Sequence, residues 1–182
     1  TENSIWSGSA GAGSFDGFST ILTAATLPSG QDIAKVAGGV TASNVINELG
    51  KVVDSIPSSI VNNENLLVYV SNNVFRSYKR ALGGFQSQGQ GANGVNGLGN
   101  NQDIDVQYFD GISIVVANGL ADDTMVATLK TNLYFGTGLL SDANEVKVLD
   151  MADLDGSKNV RFIARYTAGV QIGVLEDVVF YS

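Results

Sequence analysis

Hydrophobic positions along this chain change period several times, and each change marks an element. From Ala42 to Ile56 the apolar residues Val45, Ile46, Leu49, Val52, Val53 and Ile56 fall at offsets 0, +1, +4, +7, +8 and +11. That spacing traces one face of a 3.6-residue helix. Thr41 and Ser43 are candidate N-caps, and Pro57 cannot continue the helix. Asn62-Asn63-Glu64-Asn65 turns the chain into Leu66–Val70, an apolar run without polar alternation, which predicts a strand buried on both faces. Ser71 is placed to cap a second helix in which Val74, Phe75, Tyr78 and Leu82 share a face, ended by Gly83-Gly84. A buried strand between two amphipathic helices needs more sheet beside it, and the remainder of the chain must supply that sheet.

From Asp105 onward the pattern is β. Val106–Phe109 and Ile112–Ala117 flank the turn pair Asp110-Gly111, and Met125–Lys130 is a further strand. Asn132–Leu140 follows, and Glu145–Met151 alternates, with Val146 and Val148 on one face. Asn159–Gly173 is long and predicted to be mostly β, with Arg161, Ile163 and Arg165 on one side and Phe162, Ala164 and Tyr166 on the other. Leu175–Tyr181 is the last strand, so one long antiparallel hairpin or ribbon is expected to close the chain. Before the helical unit, Gln31–Val36 is a short strand bounded by the turn Leu27–Gly30 and the break Gly38-Gly39, while Ser19–Ala25 has no assignable type.

Two stretches have no periodicity. Thr1–Gly17 is rich in Gly and Ser and is expected to be an extended or mobile arm, with Ile5 and Trp6 as anchors. Its glycines do not form a phosphate loop: no strand precedes them, no Lys-Ser or Lys-Thr follows, and the spacing is not G-x-G-x-x-G. Residues 83–103 hold seven Gly among Gln, Asn and Ser, the composition of an exposed loop.

Composition narrows the function classes. Of 182 residues, 44% are hydrophobic and only 15% charged, so a packed core is available and the surface must rely on uncharged polar side chains. The formal charge of −8 opposes nucleic-acid binding through the surface as a whole. The chain has neither Cys nor His, which removes disulfides, thiolate metal sites, the commonest general base and the usual nucleophile triads. No stretch approaches the roughly 20 apolar residues of a membrane-spanning helix.

The remaining polar constellations have bland explanations. Asp150, Asp153 and Asp155 with Gly156 resemble part of a calcium loop, but Lys158 stands where the loop needs glycine and no Glu closes it. A turn on Asp155-Gly156 accounts for the same residues. Asp122-Asp123 fits a solvated turn or helix start better than an acid/base pair, because adjacent side chains diverge. Arg76, Lys79 and Arg80 lie on the second helix, as a solvated face or as a contact for a negatively charged partner. Arg161 and Arg165 can pair with carboxylates of this subunit or of a neighbouring one. No catalytic, cofactor or metal set emerges, and the residues that stand out are these five candidate interface cations.

The order of elements from Thr41 to Tyr181 resembles the major capsid proteins of tailed bacteriophages, the Hong Kong 97 phage coat fold. The likeness is carried by the helix Thr41–Pro57, by Leu66–Val70 with the helix from Ser71 to Tyr78, by Asp110-Gly111-Ile112-Ser113-Ile114-Val115-Val116, by Asn132–Leu139 and by Arg161–Phe180. It covers about three quarters of the chain and rests on pattern rather than on a signature motif. The resemblance implies an α+β fold. Residues 1–40 would form an arm and part of a peripheral domain, 41–140 an axial domain carrying the 83–103 loop, and 141–182 the closing peripheral strands. It implies a structural, non-enzymatic protein that assembles with copies of itself into pentamers and hexamers and then an icosahedral head around double-stranded DNA. Its other partners would be virion proteins, with no sequence-specific nucleic-acid contact, no membrane and no cofactor. It would be made in the host bacterial cytoplasm and reside in the virion. The family normally carries a longer N-terminal region than Thr1–Val40 can hold, so the chain is expected to be an excised portion. Two other readings stay open: an encapsulin-like shell protein of the same fold, and a secreted or surface-exposed β-rich binding module.

Overall fold

The computed structural model describes residues 2–12, 15–82, 107–138, 145–150, 159–165 and 168–182. The elements in chain order are α1 (Glu2–Ser7), α2 (Phe18–Ala24), β1 (Asp32–Ile33), α3 (Val45–Asp54), β2 (Leu66–Val70), α4 (Asn72–Ala81), β3 (Gln107–Phe109), β4 (Ile112–Val116), β5 (Met125–Leu129), β6 (Leu133–Thr137), β7 (Glu145–Asp150), β8 (Val160–Arg165), β9 (Ala168–Ile172) and β10 (Val178–Tyr181).

The centre is a six-stranded mixed sheet in the order β1-β10-β5-β2-β4-β3. Strand β2 pairs parallel to β4 and antiparallel to β5, so the apolar run Leu66–Val70 lies inside the sheet as its composition requires. Strand alternation divides the side chains between two cores. Val68, Val70, Met125, Ala127, Val179 and Tyr181 face a first core with Val45, Leu49, Val52 and Val53 of α3 and Val74, Phe75 and Tyr78 of α4. Val126, Val178 and Phe180 face a second core with Trp6, Phe18 and Leu22. The architecture is α+β, with a sheet covered by helices on both sides.

Helix α3 follows the expected period, with two local differences. Its N-cap is Asn44, and neither Thr41 nor Ser43 caps it; the Thr41 and Ser43 hydroxyls bond each other at 2.9 Å. Ile46, placed on the apolar face by its spacing, is solvent-exposed, because it sits 100° round the helix from Val45. Glu48 takes the buried position instead, 4% exposed. Ser71 does occupy the N-cap of α4, but its hydroxyl bonds Asn73 Oδ1 rather than a helix N–H. The β3–β4 turn has φ of 50° at Asp110 and 80° at Gly111, the left-handed pair that a two-residue hairpin needs.

Two expectations are corrected. The N-terminal stretch is not an extended arm: α1 and α2 fold over the second core. Trp6 is buried there, its ring 5.3 Å from Phe18 and 5.1 Å from Tyr69. Apolar burial of one large aromatic outweighs the local preference of Gly and Ser for freedom. The segment Asn159–Gly173 is mostly β, as expected, but divides between two partners. Strand β8 pairs with β7, whereas β9 pairs with β6, giving two separate two-stranded ribbons. The last strand does not close a hairpin or ribbon, because β10 enters the six-stranded sheet between β1 and β5. The expected loop 83–103 and the turn Asp153–Lys158 lie outside the described residues.

Candidate assembly surfaces

The side of α4 that faces the sheet carries Val74, Phe75, Ser77 and Tyr78. Arg76 and Arg80 lie one turn apart on the opposite, exposed side. Lys79 is engaged within its own helix, with Nζ 4.6 Å from the centre of the Phe75 ring. Among the described residues no carboxylate lies within salt-bridge distance of Arg76, Arg80 or Arg161, whereas Lys51 pairs with Glu48 at 2.7 Å. Arg161 is exposed on β8, far in sequence and in sheet from α4. The backbone of Arg165 pairs opposite Glu145, while its side chain is outside the described set. The five candidate cations therefore do not form one site. Two of them make a basic ridge on α4.

The ribbon β7–β8 presents a different surface. Residues directly opposite in an antiparallel pair share a face. Val148 opposes Phe162, and Val160 falls two positions along the same face of the same strand. Phe162 is 72% exposed, Val148 58% and Val160 54%. On β6, Tyr134 and Phe135 are exposed as well. Among the described residues no third strand joins either ribbon. A two-stranded ribbon is marginal in water, and contiguous exposed apolar side chains mark interaction sites. The alternation of Val146 and Val148 was legible in the sequence, but nothing local shows that Val148 and Phe162 meet on an uncovered face.

The buried polar groups are structural. Tyr181 donates its hydroxyl proton to Glu48 Oε2 at 2.9 Å and accepts the Val36 N–H at 2.9 Å. Glu48 Oε1 accepts from Lys51 Nζ at 2.7 Å. Burial pushes the Tyr181 hydroxyl up to about 12, and the hydrogen bond to Glu48 adds to that rise against the opposing effect of the Val36 N–H. Burial also raises Tyr69 and Tyr78. Asp123, expected in a solvated turn, sits in a turn with φ of 62° but is half-buried. Its Oδ1 accepts from the Val40 N–H at 2.9 Å and from Asn73 Nδ2 at 2.7 Å. Among the described residues no three His, Cys, Asp or Glu side chains come close enough to hold a metal ion, and no helix is long and apolar enough to cross a membrane.

No protein-family model and no curated protein matches this sequence. Solved structures match in fold. A chain of Mycobacterium phage Che8 superposes with a TM-score of 0.59 at 19% identity, over 84% of this chain and 54% of its own. A chain of the satellite phage P4 procapsid that includes size-determination protein gives 0.57 at 10% identity, over 92% and 52%. A chain from the capsid of an empty GTA particle gives 0.57 at 15% identity, over 98% and 59%. The chain has the Hong Kong 97 phage coat fold. The chain spans 52–59% of the lengths of these three structures. Within this coat fold the central sheet and its helices are the part built on two cores, and the ribbons are the part that leaves apolar faces uncovered.

Proposed function

We propose that this protein is a structural coat subunit, and that copies of it associate into pentameric and hexameric rings and then into a closed icosahedral shell around double-stranded DNA. The observation that carries this reading is the uncovered apolar face of Val148, Val160 and Phe162 on β7–β8, in a fold shared with chains of a procapsid and a capsid. A coat subunit needs broad, modest interfaces rather than a pocket. Many uncharged polar side chains and an absence of His and Cys suit that role. In this reading the six-stranded sheet with α1–α4 is the axial domain, and the two ribbons belong to the peripheral domain. Strand β10 then belongs to the axial part, although it ends the chain. The virion is the place of residence, with other virion proteins as further partners.

The test is the variant Phe162→Asp, which puts a charge in the centre of the apolar ribbon face. Sedimentation velocity is expected to show loss of the assembled species, while thermal unfolding of the monomer stays within a degree or two, because an exposed side chain contributes little to folding. Assembly indistinguishable from the parent protein would overturn the role given to this face.

A further inference from the structure

A groove of about 500 Å3 opens between the loop that precedes β2 and the β3–β4 turn. Val61 and Tyr108 line it with exposed rings and methyls, among the polar side chains of Asn62, Asn63, Glu64 and Asp110. Tyr108 is 63% exposed. Among the described residues no cation lies within salt-bridge distance of Glu64 or Asp110.

Strand geometry places this groove relative to the basic ridge. Phe109 turns toward α4, its ring 6.1 Å from that of Tyr78. Tyr108, the preceding residue, therefore projects from the opposite face of the sheet, together with its cross-strand partner Ser113. Arg76 and Arg80 point away from the sheet on the α4 side. The groove thus opens at the end of the sheet where β2 and β4 begin, lined also by Leu66 and Ile112, and its Tyr108 side faces away from the α4 layer that carries the basic ridge.

We propose that the groove receives the Arg76–Arg80 ridge of α4 from a second copy of this chain. The two guanidinium groups of the ridge are opposite in charge to the two carboxylates that line the groove together with an exposed phenol ring. Arginine suits both partners, since it pairs with carboxylates and stacks on aromatic faces. Repeated head to tail around a closed ring, a contact between these two unlike surfaces is heterologous and satisfies every copy. The inference rests on the coat reading and names one of its ring contacts.

Charge reversal tests it. Arg76→Glu with Arg80→Glu alters the ridge. Glu64→Arg with Asp110→Asn alters the groove, asparagine being chosen because position 110 has φ of 50°. Each double variant is expected to weaken association about tenfold or more, read by sedimentation velocity at low salt, and the four substitutions together are expected to restore much of it. Lys35→Glu, on the far edge of the sheet, controls for net charge and is expected to leave association unchanged. Circular dichroism confirms folding of each. Ridge and groove variants that assemble like the parent, or a combination no better than either alone, overturn the proposal while the coat reading stands. A parent protein that does not assemble removes the coat reading, and this contact with it.

Discussion

Tyr181 joins three segments that are distant in sequence. Its hydroxyl lies between the Val36 N–H next to β1 and the Glu48 carboxylate on α3, while its ring stays in the first core. Tyr181→Phe leaves the Val36 N–H and one Glu48 oxygen without this partner, so a loss of about 1–3 kcal/mol is expected in urea unfolding at neutral pH. The sign with pH follows from the raised hydroxyl. Folding favours the protonated phenol, so its contribution is complete below pH 10 and is lost as pH rises through about 12. The parent protein should therefore lose stability more steeply than Tyr181→Phe across that window, and parallel curves would refute the assignment. Tyr69 and Tyr78 are also raised, but they are common to both proteins and cancel in the comparison. No local pattern announces Tyr181 or Glu48 as partners. Glu48 sits next to Leu49 in the arc of α3, and only the tertiary meeting of α3 with β10 makes its burial tolerable.

At the scale of elements, β5 and β10 pair in the central sheet, and their continuations β6 and β9 pair beyond it. The two pairs run end to end, separated by the 3-10 turns Lys130–Asn132 and Leu175–Asp177. Asn132 bridges the interruption. Its Nδ2 donates to the Val174 carbonyl and its Oδ1 accepts the Val174 N–H, both at 2.7 Å, so the amide side chain stands in for a rung of the ladder. Asn132→Ala should cost about 1–3 kcal/mol in urea unfolding, because both Val174 backbone groups lose a partner. Trp6→Ala should cost about 3 kcal/mol or more, and should raise amide hydrogen exchange in α1 and α2. Exchange unchanged in these helices would show that Trp6 does not anchor them. Elements defined by their own period were legible: α3, α4, β2, β4 and β5 all fall where the apolar spacing puts them. The helical N-terminus was not legible, because glycine and serine spacing describes local freedom while Trp6 is held by Phe18 and Tyr69. The split of Asn159–Gly173 between two ribbons was hidden for the same reason, since a strand's partner is a non-local property.

At the scale of the molecule, a fold with two cores carries surfaces that no other described residue covers. They are the apolar face of β7–β8, the basic ridge of α4 and the acidic groove at the β3–β4 turn. The candidate cations were visible in the sequence, but which of them share a surface depended on the sheet order that separates α4 from β8. Faces of this kind mark interaction sites, and the proposed rings of identical copies would cover them. Electron microscopy of the full-length protein expressed alone, paired with its sedimented mass, tests this most directly. Five- and six-membered rings or closed shells are the expected result; particles that remain single subunits even at high concentration would contradict the coat assignment.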